Sequence, residues 1–214
     1  VMYAAKKCGV TEVITCGGAQ AIGNLAYIQK VNKIVGPGSD ITADAIRLVF
    51  GTVGIDGIAG PSEILVLADK KTNIHEIGTS LVGQSEHGPE SQCILVTKHK
   101  EIISKVQKNI LENLRNLERK NIAIKSLKKH GLIILCHNDK QITEVINEVA
   151  PEHLELNVTN YKKYISQIIN AGSICIGKYT PMAVTDYNSG SQHTLPTLGS
   201  SKFSYGLNVN DFYK

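Results

Sequence analysis

Ile64-Leu-Val-Leu-Ala68 and Cys93-Ile-Leu-Val-Thr97 flank a helical pattern over residues 74–87, and this succession points to the architecture of the whole chain. The two outer runs are strand-length and rich in Val, Leu and Ile. Between them Ile74, Ile77, Leu81 and Val82 recur at helical spacing. Strand, helix, strand in succession predicts an α/β fold with a largely parallel sheet. The same alternation continues on both sides. Residues 12–16, 33–35, 132–136 and 173–176 read as further strands. Residues 42–50, 100–119, 142–149 and 161–170 read as further helices, the second with a clear amphipathic stripe from Ile102 to Leu117. Residues 1–8 read as the tail of a helix closed by Gly9.

Composition narrows the functional classes. The 214 residues carry 23 Lys+Arg against 19 Asp+Glu, a net +4, with 42% hydrophobic residues. This is the profile of a globular chain and excludes a disordered one. No apolar run approaches the roughly 18 residues of a membrane-spanning helix. The mild charge, 5% aromatics and absence of Trp give no platform for nucleic acid. Residues 98–130 hold ten Lys or Arg and three Glu, interleaved with apolar positions as on a solvated helix face. The five cysteines (Cys8, Cys16, Cys93, Cys136, Cys175) are widely spaced and lack a CxxC pair, which argues against disulfides and a thiolate zinc site and for buried free thiols.

Glycine and proline cluster at Gly17-Gly18, Gly36-Pro37-Gly38, Gly60-Pro61 and Ser189-Gly190. Open α/β sheets bind ligands beyond the carboxyl ends of their strands, so such turns are where a site is sought. Gly17-Gly18-Ala19-Gln20-Ala21 is read as following a strand and opening a helix, suited either to a dinucleotide phosphate or to a plain tight turn. Gln84 and His87, three apart at a helix end, offer an amide oxygen and an imidazole nitrogen to a divalent metal; the alternative is a His satisfied by a backbone carbonyl. Glu152-His153, after the turn at Pro151, pairs a carboxylate with an imidazole, either for acid–base work from a helix start or as ordinary surface residues. Asp186 and His193 stand seven apart in a polar, turn-rich segment, and the carboxylate could complete a metal site with Gln84 and His87.

Six stretches, in this order, carry a resemblance. Gly-Gly-Ala-Gln-Ala, Gly-Pro-Gly, Ala-Gly-Pro-Ser-Glu, Gln-x-Glu-His-Gly-Pro, Ala-Pro-Glu-His-Leu-Glu-Leu and Asp-Tyr-x-x-Gly-x-x-His-x-Leu-Pro-Thr together resemble the histidinol dehydrogenase family over about residues 10–212. The resemblance implies a central part of a longer chain whose N-terminal part and C-terminal tail lie outside this sequence. It implies zinc- and NAD-dependent oxidation of L-histidinol through L-histidinal to L-histidine, the last step of histidine biosynthesis. Gln84, His87 and Asp186 would be ligands of one Zn²⁺ per subunit and would also hold substrate. Ser62 and His193 would contact substrate, Glu152 would be the base and His153 the proton acceptor. Gln20 would touch NAD⁺. A homodimer is implied, with the partner subunit's tail completing the zinc site; neither nucleic acid nor membrane is a partner. The compartment implied is the cytoplasm, though a sequence lacking its true start does not address a transit peptide.

By the same resemblance, residues 1–59 would end a smaller NAD-side domain, residues 60–207 would form the Rossmann-like zinc and substrate domain, and residues 208–214 would begin the tail. Six positions depart from the family pattern, among them Ser191 and Gln192, which stand where the family has Pro and Asn. Ser39 stands at an NAD-contacting position usually held by Asn, yet its hydroxyl could still reach a ribose or phosphate. Ile41 and Ile46 replace a Tyr and a Lys, and Met182 replaces a Glu. These departures leave open a dehydrogenase for another amino or hydroxy alcohol, or a degenerate, non-catalytic relative.

Overall fold

The computed structural model describes residues 1–185, 187 and 189–213, in two compact units, Val1–Asp56 and Gly57–Lys214. The larger unit is built on five parallel strands: β3 (Glu63–Ala68), β4 (Gln92–Thr97), β5 (Gly131–Leu135), β6 (His153–Asn157) and β7 (Ser173–Ile176), in the order β5-β4-β3-β6-β7. The first strand in sequence is thus central, and all six of its residues are buried.

Strand alternation divides this core into two layers. Ile64, Val66, Cys93 and Leu95 face α4 (Ile74–Ser85) and α5 (Lys100–Arg115), where Ile77, Leu81, Ile102 and Val106 cover them. Leu65, Leu67, Ile94, Val96, Leu154 and Leu156 face the opposite side, covered by Ile142 and Ile146 of α7 (Asp139–Val149) and Tyr164 of α8 (Lys162–Ile165). Each fully buried Leu or Ile contributes about 1.5–3 kcal/mol of transfer free energy. The α/β architecture with parallel strands and flanking helices is therefore as the sequence predicts.

The smaller unit holds α1 (Met2–Lys7), α2 (Gly18–Gly23) running into a π-helical turn at Asn24–Ile28, β1 (Lys33–Ile34), α3 (Asp40–Val49) and β2 (Gly54–Ile55). β1 and β2 pair in parallel, and Ile22, Ala26, Ile34, Ile46, Val49 and Val53 form its core.

Four local expectations fail. Residues 12–16 form no strand: among the described residues no strand pairs with them, and Val13 and Ile14 are exposed, so the apolar run gains neither ladder hydrogen bonds nor burial. The helix expected over 100–119 stops at Arg115, and α6 (Lys120–His130) follows. The break folds the chain back so that Ala123 packs on Leu114 and Val82. The helix expected over 161–170 shrinks to α8, because the Asn147 side chain captures the backbone N–H groups of Ile169 and Asn170 and the carbonyl of Gln167. Among the cysteines, Cys93, Cys136 and Cys175 are buried as expected, whereas Cys8 and Cys16 are exposed. Burial pushes the Cys93 thiol up to about 12.

Candidate active site

Parallel register aligns the starts of three strands. Ile64 pairs with His153 and His153 with Ser173, so Glu63, His153 and Ser173 gather at the amino edge of the sheet. α4 runs back from the carboxyl end of β3 toward the start of β4, and its last turn carries Gln84 to the same edge. There the Cys93 thiol donates to the Leu81 carbonyl at 3.2 Å, tying the end of α4 to β4. The polar cluster therefore lies at the amino edge, opposite the carboxyl edge where the turn argument looks. The reason is that its residues precede their strands rather than follow them.

His153 opens β6 and Glu152 directly precedes it, so the pair enters a strand rather than a helix, which corrects the expectation of a helix start. α7 ends at Ala150 in the left-handed conformation (φ 50°), which swings the chain through Pro151 into the strand. Both side chains are buried, at 6% and 5% exposure. Glu152 Oε1 lies 3.7 Å from His153 Nε2. Glu152 Oε2 accepts the Glu63 backbone N–H at 2.8 Å, and His153 Nδ1 is 3.0 Å from Ser173 Oγ. The carboxylate and the imidazole are thus each held by a third group, as a proton-transfer pair requires.

Around the pair, Glu63 is itself buried, and its Oε1 accepts the Leu198 N–H at 3.2 Å. Burial holds its pKa above the usual carboxylate range. Gly60 N–H donates to Thr197 Oγ1 at 2.6 Å, which anchors the segment after His193 beside the entrance to β3. A side chain at Gly60 would meet the exposed Leu198 side chain, which would have to move aside to admit it. Ser62 is half-buried just before β3, with its carbonyl accepting Gln92 N–H.

Gln84 is fully buried, and neither atom of its amide has a hydrogen-bond partner among the described residues. An unsatisfied buried amide costs about 1–3 kcal/mol, which a bound ligand would offset. His87 lies just past the helix and is exposed. Asp186 lies outside the described residues, and His193 is exposed in an irregular segment. Among the described residues no three His, Cys, Asp or Glu side chains cluster as a metal site. The Gln84 amide oxygen and an imidazole nitrogen nevertheless suit a borderline divalent cation in donor chemistry.

In the smaller unit, Gln20 is exposed in the first turn of α2. Ser39 is exposed at the start of α3, its hydroxyl 3.2 Å from that of Thr42. Ile41 is exposed, but Ile46 is 4% exposed and sits in this unit's core. Met182 is likewise a core residue, packed on the α4–α5 face. Glu63, Ser173 and Glu155 go unnoticed in the sequence reading. Of the three only Glu155 has a signal in the sequence, the period-two pattern of His153-Leu-Glu-Leu156, which alternates polar and apolar as a strand does; nothing local ties Glu63 to Glu152 or Ser173 to His153.

The sequence model described as histidinol dehydrogenase matches residues 1–214. A histidinol dehydrogenase of Pelagibacter ubique is 51% identical over 219 residues, covering 100% of this chain and 51% of the relative. The crystal structure of histidinol dehydrogenase from Elizabethkingia anophelis superposes with a TM-score of 0.94 at 34% identity, over 98% of this chain and 49% of that one. A propionaldehyde dehydrogenase of Clostridium phytofermentans shares the fold alone, with a TM-score of 0.55 at 12% identity over 91% of this chain and 57% of its own. The chain spans about half the length of the curated relatives it matches.

Proposed function

The chain belongs to the histidinol dehydrogenase family, and from that premise we propose that the whole protein is an oxidoreductase converting L-histidinol through L-histidinal to L-histidine, with Zn²⁺ and NAD⁺. The observation that carries the reading is the buried Glu152–His153 pair, each member oriented by its own hydrogen bond.

In this reading Nδ1–H of His153 donates to Ser173 Oγ, so Nε2 presents the lone pair that takes the proton of the substrate hydroxyl. Glu152, held by the Glu63 N–H, takes a proton from the water that hydrates the aldehyde. Gln84, His87 and Asp186 hold the metal and, with Ser62 and His193, the substrate. When bound, zinc orients the imidazole and amine of the substrate, and NAD⁺ accepts hydride. Gln20 and Ser39 meet the cofactor, which makes the smaller unit the NAD-side part. A homodimer in the cytoplasm, with the partner subunit's tail completing the zinc site, is part of the same proposal.

The test supplies intact protein with histidinol and NAD⁺, with and without a chelator. NADH formation that the chelator abolishes and zinc restores supports the reading. Turnover of another amino alcohol in place of histidinol favours the second reading, to which the core position of Met182 is open. No NADH from any alcohol leaves a binding protein. The 214-residue chain by itself is expected to give no NADH above blank, because it spans only about half the length of its relatives and so lacks the tail that this reading assigns to the zinc site.

A further inference from the structure

We propose that Glu155 is a positioning residue that fixes the helix bearing the candidate metal ligand Gln84 and the Met182–Thr185 turn, which precedes Asp186 in sequence; this rests on the metal-site reading above.

Glu155 sits in the middle of β6, in register between Val66 and Cys175, and is 2% exposed. A carboxylate at such a place costs several kcal/mol unless polar groups hold it, and a Leu would fill the space. Its Oε1 accepts two hydrogen bonds, from the Met182 backbone N–H at 2.7 Å and from Ser80 Oγ at 3.1 Å.

Both donors lead to the candidate site. Ser80 is on α4, four residues before Gln84 and so on the same helical face one turn earlier. Met182 opens α9 (Met182–Thr185), the turn that runs directly into position 186. Glu155 itself follows His153 by two residues, so both point to the α4 face of the sheet. One oxygen atom therefore joins the strand of the proton-transfer pair, the helix of Gln84 and the Met182–Thr185 turn. Groups bonded directly to metal ligands are typically worth about 10–100-fold in affinity; Glu155 acts one bond further out, through the segment that holds the ligand, so a loss at the lower end of that range is expected.

The experiment is a zinc competition titration on the intact protein, wild type and Glu155→Ala, Glu155→Gln and Ser80→Ala, with thermal melts of the metal-free forms alongside. Glu155→Ala is expected to weaken zinc affinity about tenfold or more, and Ser80→Ala to weaken it less. Glu155→Gln keeps an acceptor oxygen and is expected to stay near wild type. A folded Glu155→Ala that binds zinc as tightly as wild type overturns the inference, even if its melting temperature falls. Should Glu155→Ala fail to fold, Ser80→Ala decides: weakened zinc supports the inference and wild-type affinity overturns it. A wild type without zinc affinity overturns the metal-site reading and this inference with it; tight wild-type binding with indifferent variants overturns Glu155 alone.

Discussion

A Cβ on Gly172 would stand 2.6 Å from the carbonyl oxygen of Glu152. The two backbones meet this closely because Gly172 N–H donates to Pro151 and Ser173 N–H donates to Glu152, at 2.9 and 2.8 Å. Gly172→Ala is therefore expected to push the Glu152 backbone aside, costing about 1–3 kcal/mol of stability. Turnover should fall with it. Thermal melts and histidinol assays of the intact variant check this, and wild-type values in both would refute the steric argument.

Glu152→Gln and His153→Asn each remove one proton-carrying group while keeping shape. Turnover is expected to drop by about 100-fold or more, with zinc content unchanged by elemental analysis. Lost zinc would mean these two residues hold metal rather than protons.

Glu63 gives a pH signature. Burial raises its folded pKa above the unfolded value, so its contribution is fully present below about pH 4.3 and is lost as pH rises through the folded pKa. Glu63→Gln keeps the acceptor for Leu198 N–H and removes the buried charge. The variant is expected to match wild type in melting temperature near pH 4 and to exceed it by a few degrees at pH 8. Parallel melting curves across that range would show the group to be unshifted.

Asp139 behaves in the opposite sense. Lys163, at 2.7 Å, Lys98 and the Tyr164 hydroxyl all donate to its carboxylate and hold its pKa far below the usual range. A depressed pKa contributes stability above about pH 3.9 that is lost as pH falls through the folded value. The carboxylate is 42% exposed, so solvent screening limits Asp139→Asn to a loss of about 1 kcal/mol at pH 7. Urea titrations at pH 7 and pH 3 check it, with the difference from wild type shrinking at the lower pH.

The sheet was legible because its central strands are continuous apolar runs and α4 carries a regular stripe. Residues 12–16 show that an apolar run is not by itself a strand: it pairs with nothing among the described residues, and Val13 and Ile14 stay exposed. β6 was hidden because Glu152 and His153 drew attention as chemistry, although His153-Leu-Glu-Leu156 alternates as a strand should. The pairing of Glu152 with His153 was readable from adjacency. Their partners were not, since Glu63 lies 89 residues from Glu152 and Ser173 lies 20 from His153. Only folding brings those groups together.

The placement of the cluster on the amino edge has an electrostatic consequence. α4, α6 and α7 all finish there, at Ser85, His130 and Val149. Their last carbonyls, lacking partners within the helix, present the negative pole of each macrodipole, about half an electronic charge. That pole draws cations and repels phosphates. A sheet whose topology suggests nucleotide binding thus turns its charged helix ends toward metal, and a pyrophosphate would find a friendlier pole on the opposite rim.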